Sequence, residues 1–334
     1  MRPSNLRITS TLTASLLLLT PALAQNAFRP LPAVPDAFAG ASGPTATVAS
    51  SYMEELEKAA SAPRPRSFFD ARAFGEASTS GGLTGGGEVS SQRGGWQVLF
   101  GSRLDDERLA AFQVSTEASF YNLGGSNQLV PGNSKPFNDL YRASVSGIVR
   151  TPSDEGAGWF AGFELALGGE DEASPRDSLV AGGVGGVHYT ASKDLSVDVG
   201  IAVLSRLEDD PWIWPFLGLK WQATDRLSFE ARGTSIEGRL ALDEAWSLFG
   251  RAQYQLRQFR LNDDNPLPSG VFRDEEIRAG LGVSRRAGDG FEVELFGGVN
   301  LWRELSTLDR DGALQSELEV DPAPFVAFSL KLSV

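Results

Sequence analysis

The chain has 334 residues with 30 basic and 43 acidic side chains, a formal charge of -13, one histidine and no cysteine. Without cysteine there is no disulfide, thiolate nucleophile or thiolate metal site, and a single histidine leaves imidazole catalysis and His-rich metal centres almost without material, so no metal or cofactor is expected. The acidic excess argues against a nucleic-acid partner, while a mean hydropathy of -0.16 suits either a soluble all-β domain or a barrel with a polar lumen.

Residues 1–24 read as a secretory signal peptide: Arg2 and Arg7, the apolar run Leu16 to Leu19, then Pro21-Ala22-Leu23-Ala24. The run is too short to span a membrane, and no later stretch approaches twenty apolar residues, which excludes spanning helices. Residues 25–95 read as a periplasmic tether rich in Pro, Gly, Ala and Ser, because Pro30, Pro32, Pro35, Pro63 and Pro65 interrupt regular structure and Gly81-Gly82 with Gly85-Gly86-Gly87 resembles a hinge. One island, Ser51 to Ala60, carries a Ser N-cap with acids in its first turn and predicts a short helix.

From residue 96 a period of two takes over, and period two means strands. Trp96 to Leu104 is a short strand; Phe112, Val114, Thr116, Ala118 and Phe120 then alternate with Gln113, Ser115, Glu117 and Ser119. Tyr141 to Val149, Trp159 to Leu167, Leu179 to Tyr189 and Leu195 to Val203 continue the beat. Asp209 to Leu261 supplies four more strands, followed by Ile277 to Val283, Phe291 to Leu295 and Val326 to Val334. Most candidates run about 9–13 residues, the length a tilted strand needs to cross hydrocarbon, against about 5–6 for soluble strands.

The connections alternate as well. Those at 105–107, 191–194, 223–226, 243–245 and 287–290 are tight, and those at 122–136, 169–178, 205–211, 262–274 and 305–322 are longer and polar. Short periplasmic turns opposite longer outer loops are the rule for outer-membrane barrels. Thr151 to Gly158 is long for a turn, and Thr234-Ser235 is short for an outer loop. The expectation is an all-β transmembrane antiparallel up-and-down β-barrel over residues 96–334, with about 12 strands. Fourteen is the alternative if a partner for the Trp96 strand lies between Phe68 and Ser91.

Trp159, Tyr189, Trp221 and Trp246 fall beside the tight turns in the lipid-facing phase and read as membrane-interface anchors. Trp302 has the lumen phase unless a bulge intervenes, and Pro211 and Pro215 unsettle the phase of Trp212 and Trp214. The inward phase collects Glu117, Arg142, Glu164, Glu230, Arg232, Glu237, Arg239, Arg251, Arg257, Arg278, Glu292 and Glu294, with Arg150, Asp198 and Glu276. Such residues line either an aqueous pore or a self-satisfied lumen; mixed signs favour self-pairing, since a selective pore shows a ring of one sign. Glu230, Arg232, Glu237 and Arg239 are placed to pair among themselves.

His188 also points inward, near the turn end, away from any bilayer lipid, so no catalytic residue is assigned and no enzyme is expected. The pairs Asp209/Asp210 and Asp263/Asp264 lack the spacing of a calcium loop, and Gly85-Gly86-Gly87 lacks the Lys-Ser/Thr and helix of a phosphate loop.

At Pro215-Phe-Leu-Gly-Leu-Lys-Trp-Gln-Ala-Thr-Asp-Arg-Leu-Ser and Leu242-Asp-Glu-Ala-Trp-Ser-Leu-Phe-Gly the chain resembles an uncharacterised family of bacterial outer-membrane β-barrels, clearest over residues 209–260. The resemblance implies fold and location, with no activity or site to carry over. Barrels of this kind commonly finish in an aromatic residue read by the barrel-insertion machinery, whereas this chain ends Leu332-Ser333-Val334. The reading is a porin-like Gram-negative envelope protein that passes or binds a solute of unknown identity or serves a structural role, its tether in the periplasm, with outer-membrane lipid, the insertion machinery and a small solute as partners. A barrel-embedded lipid-modifying enzyme and a soluble secreted β-sandwich are the alternatives.

Overall fold

A computed structural model describes residues 67–334 apart from 105–107, 126–128, 131–134, 152–155 and 289. The expected signal peptide and the expected helix at 51–60 lie outside the described residues. Fifteen segments form one antiparallel sheet: β1 (Ser67–Gly82), β2 (Glu88–Arg103), β3 (Leu109–Gly124), β4 (Leu140–Arg150), β5 (Gly156–Glu170), β6 (Leu179–Ser192), β7 (Leu195–Arg206) and β8 (Asp209–Gln222) lead the chain. After them come β9 (Leu227–Arg232), β10 (Ser235–Ala241), β11 (Trp246–Arg260), β12 (Val271–Ala287), β13 (Phe291–Leu308), β14 (Leu314–Val320) and β15 (Ala323–Ser333). β14 and β15 pair with successive halves of β13 and are one wall strand interrupted at Asp321-Pro322. The wall therefore has fourteen positions among the described residues, and it closes where β15 pairs with β1 from Asp70↔Ser333 to Ser78↔Phe325.

Two sequence expectations are corrected here. The barrel has fourteen strands rather than about twelve, and its wall begins at Ser67 rather than at residue 96. Of the glycines read as a hinge, Gly81-Gly82 end β1, and Gly85, Gly86 and Gly87 lie in the β1–β2 turn, where all three take the positive φ that a side chain resists. β1 resembles a tether in sequence because its outward positions Ala71, Ala73, Gly75 and Ala77 are small and lack the large apolar residues of the other wall strands. Two loops are also shorter than expected. The stretch 305–322 holds the end of β13 and all of β14, and the connection within 205–211 is the two residues Leu207-Glu208.

Outward positions form an apolar band. On β13 it runs from Phe291 through Val293, Leu295 and Val299 to Leu301. The ten steps from Phe291 to Leu301 at about 3.3 Å each, tilted by about 40°, give a height of about 25 Å, the hydrocarbon span of a membrane barrel. Leu281, 76 % exposed, lies midway on β12. Trp159, Tyr189, Trp221 and Trp246 all stand outward at the turn end of this band. Trp302 is turned outward by a bulge at Leu301, where Ile277 pairs with Trp302 but Arg278 with Asn300, and it stacks on Tyr254. Trp214 points inward and is buried, with Trp212 packed against the same core.

The wall is not uniform. β9 and β10 are only six and seven residues long, so their Gly233-Thr234 tip stops short of the loop end. Beyond it β11 leaves its place beside β10 and leans inward until Arg260 meets Gly169 of β5. The inner face of β5–β8 (Ala202, Leu204, Trp214, Phe216) shares one apolar core with Val271 of β12 and Leu308 of β13. The loop half of the lumen is thereby divided.

Candidate functional site

Inside the turn half lies a cavity of about 470 Å³, bounded near the β12–β13 turn by Arg286, Glu292 and Lys331. Twelve of the fifteen inward charges named from the sequence line it: Glu117, Arg142, Glu164, Glu230, Arg232, Glu237, Arg239, Arg251, Arg257, Arg278, Glu292 and Glu294; Glu276 lies in the buried layer beyond, and Arg150 and Asp198 meet His188. Between them stand Gln97, Gln113, Gln253, Gln255, Ser115 and Ser144, neutral groups that both donate and accept.

The charges pair in layers because strand register puts opposite signs at one height. Near the turn end Arg72 donates to Glu294 (2.9 Å), and Arg239 reaches Glu237 (2.9 Å), Glu294 (2.9 Å) and Glu292 (3.5 Å). Arg251 bonds Glu237 at 2.6 Å, and the guanidinium groups of Arg239 and Arg251 lie 4.8 and 4.9 Å from the Phe249 ring centre. Arg232 pairs with Glu230 at 3.2 Å, so the four charges of β9 and β10 pair within their own strands. Arg142 holds Glu164 at 2.8 Å.

Deeper in, Arg93 stands opposite Glu76 across the β1–β2 ladder and touches three carboxylates: Glu76 (2.9 Å), Glu276 (2.8 Å) and Asp274 (2.5 Å). Arg303 donates twice to Asp274 (2.9 and 3.0 Å), Arg257 bonds Glu276 (2.9 Å) and Glu117 (3.2 Å), and Arg278 bonds Glu76. The Tyr121 hydroxyl donates to Asp274 at 2.6 Å. Four guanidinium groups thus face four carboxylates, and the side chains of Arg93, Asp274, Glu276 and Arg303 are at most 2 % exposed. Charges so far from water persist only when fully paired.

Above this layer the lumen is apolar. Val89, Leu140, Phe259, Phe272 and Leu305 pack with Leu129 and Phe137 from the β3–β4 connection. Phe137 lies 4.4 Å from Phe272 and 5.6 Å from Tyr121, ring centre to ring centre. The Thr307 and Ser316 hydroxyls anchor the connection by donating to Leu129 O at 2.7 and 2.8 Å. Among the described residues the lumen is a chamber in the turn half, roofed first by a neutralised charge layer and then by hydrocarbon.

Arg93, Glu76, Arg72 and Asp274 were missed from the sequence. The first three fell in the presumed tether, and Asp274 in a presumed loop. The signal was present: Asp70, Arg72, Phe74, Glu76 and Ser78 alternate strictly with Phe69, Ala71, Ala73, Gly75 and Ala77. His188 is inward and only 1 % exposed. Its Nδ1 is 2.5 Å from Asp198 Oδ1, its Nε2 is 2.8 Å from the Thr190 hydroxyl, and Arg150 also meets Nε2. Both ring nitrogens are thus occupied by the wall. Asp209 pairs with Arg206 (2.7 Å) and Arg273 (2.9 Å), which makes it part of the packing between the β7–β8 turn and β12.

Residues 170–332 match a domain of unknown function (DUF6268). The DUF6268 match begins at the end of β5 and takes in β6 to β15, including the stretch 209–260 where the sequence resembles an uncharacterised outer-membrane barrel family. β1 to β4, which bring Glu76, Arg93 and Tyr121 to the charge layer, precede it. No curated protein matches the sequence. Among solved structures the chain is similar to the COG4313 outer membrane channel from Pseudomonas putida F1 (TM-score 0.45, 10% identity, covering 82% of this chain and 97% of that one). It is also similar to the P. putida toluene transporter TodX (TM-score 0.46, 11% identity, 82% and 91%) and to LpxR from Salmonella typhimurium (TM-score 0.33, 10% identity, 78% and 99%). The strand pairing itself, not these likenesses, defines the barrel described here.

Proposed function

We propose that the chain is an integral outer-membrane barrel whose periplasm-facing chamber binds and passes a small solute. The placement in the membrane rests on a closed wall with an apolar band about 25 Å high. With short turns at the end where both β1 and β15 terminate, that end faces the periplasm. The observation that carries the solute reading is the chamber of about 470 Å³, within the range of small-molecule sites. A lumen with a purely structural role would be filled to the axis by its own side chains.

Leu129 and Phe137 of the β3–β4 connection, packed against Phe259, Phe272 and Leu305, form an apolar plug that closes the wild-type barrel toward its outer mouth. Planar-bilayer recording tests the reading: wild type stays silent, and removal of residues 126–137 gives discrete conductance steps with little preference for ion sign, because the layers below are charge-balanced. A variant that inserts, migrates as a heat-modifiable barrel and still stays silent overturns passage. We assign His188 a structural role. His188→Ala should destabilise the fold, and loss of a lipid-hydrolysing activity in that variant would sink the assignment.

A further inference from the structure

The weak part of the wall is beside the chamber, not above it. The six residues of β9 rise only about 13 Å at barrel tilt, so the Gly233-Thr234 tip ends about halfway up the apolar band. Above the tip, among the described residues, β8 has no hydrogen-bonded strand partner on that side, because β11 has gone to β5; only its first residue, Asp209, is bridged there, by Arg273 of β12. An unpaired strand edge facing hydrocarbon is costly unless it lines a cavity or is covered.

The sequence of β8 is written for such an edge. Leu217 O accepts from Gly233 N (3.0 Å) and Ala223 N donates to Leu227 O (2.9 Å), whereas Gln222 N donates to Asp194 O (2.8 Å). From Trp212 to Gln222, where the register is regular, odd-numbered residues therefore turn their backbone groups to the β9 side and even-numbered ones to β7. Pro215 is odd. It lacks the N–H that would otherwise point into the gap, which is where a strand proline belongs. Of the backbone donors at 213 and 215, only Ile213 N–H remains, and Pro211 lies in the bulge between Asp209 and Trp212.

The chamber reaches this gap. Its lining includes Arg232 and Ser235 beside the hairpin tip, and Leu256, which by phase belongs to the outward face of β11. The chamber thus comes up to the gap on its hairpin and β11 sides, Asp209 and Arg273 close the upper end of the gap, and the axial path is roofed. A fully hydrophilic solute gains nothing from a door into lipid, and a plain hydrocarbon gains nothing from a chamber of ion pairs, glutamines and serines. An amphiphile fits both.

We infer that the barrel exchanges its ligand sideways, through the gap between β8 and β11 above the β9–β10 hairpin, and that this ligand is a single-chain amphiphile. Its polar head occupies the chamber and its chain lies through the gap into the outer leaflet. The inference rests on the solute-binding reading and names its substrate class.

The test uses the full barrel in vesicles, with Leu256→Cys as the sole thiol, labelled with bimane. The probe is lysophosphatidylcholine carrying a nitroxide on its chain. It should quench the label saturably, and extending the hairpin by two residues on each side of Gly233-Thr234 together with Pro215→Val should abolish that quenching while heat-modifiable migration persists. If the extended hairpin does not fold, Thr234→Trp blocks the base of the gap with a single side chain. Undiminished quenching in a folded, gap-filled variant overturns the lateral route. Quenching by a water-soluble nitroxide sugar in place of the amphiphile overturns the substrate class and leaves the solute barrel standing. Saturable quenching by neither overturns both readings.

Discussion

Replacing Arg93 with Met probes the charge layer at its centre. Arg93 touches Glu76, Asp274 and Glu276, all buried, but each of these keeps a second guanidinium: Arg278, Arg303 and Arg257 respectively. The variant therefore has three arginines facing four carboxylates, one uncompensated negative charge in a dry layer. Breaking a buried ion pair from one side costs about 3–5 kcal/mol, and the surviving partners place this case near the lower end, about 3 kcal/mol. Guanidinium-driven unfolding from lipid vesicles, followed by tryptophan fluorescence, should show that loss with an unchanged slope. Adding Glu76→Gln restores neutrality and should recover about 1 kcal/mol or more, a coupling expected of groups in direct contact. A single-variant loss below about 1 kcal/mol, or a double variant equal to the sum of its singles, refutes the claim that the layer is a closed, self-neutralising network.

Other predictions probe the wall and the plug. Leu281→Arg puts a cation midway up the lipid-facing band and should cost about 2–4 kcal/mol in vesicles; a loss under about 0.5 kcal/mol would place β12 outside the hydrocarbon. Phe137→Ala removes a ring from between Phe272 and Tyr121 and should cost about 3–5 kcal/mol. The same variant should speed hydrogen exchange in the loop halves of β11 and β12 before the turn halves; uniform change would argue against a separate plug. His188→Ala leaves Asp198 and Arg150 without their shared partner and should cost about 1–3 kcal/mol, read by the same unfolding assay, and a neutral result would show that the cluster is not holding β4, β6 and β7 together.

How much of this was legible in the chain depended on contrast. Where outward residues are large and inward ones charged, as in Trp246 to Arg257, alternation gives strand and face, and twelve of the fifteen inward charges chosen that way line the chamber. In β1 the outward residues are alanine and glycine, and a glycine turn follows, so a wall strand looked like a tether. The loop halves of β11–β13 were illegible for a different reason. There the wall leans inward, and both faces are buried, so Val271, Arg273 and Leu308 follow no inside–outside rule. Pro215 reads as a disturbance in a strand and instead marks its free edge, while Pro211 sits in a bulge of that strand. The short Thr234-Ser235 connection, anomalous for an outer loop, is the tip of a hairpin that never reaches the loop end.

Everything above depends on the barrel closing through β1. Because the chain has no cysteine, a single engineered pair reads this directly: Phe74→Cys with Ser329→Cys, which face each other across β1 and β15, close enough for a disulfide. Mild oxidation of the folded protein in detergent should link this pair nearly completely, while Gln113→Cys with Ser329→Cys, the neighbours in a twelve-strand barrel closed through β3, should stay reduced. The reverse result, a β3–β15 link with β1 unlinked, would contradict the fourteen-strand wall and the chamber built on it.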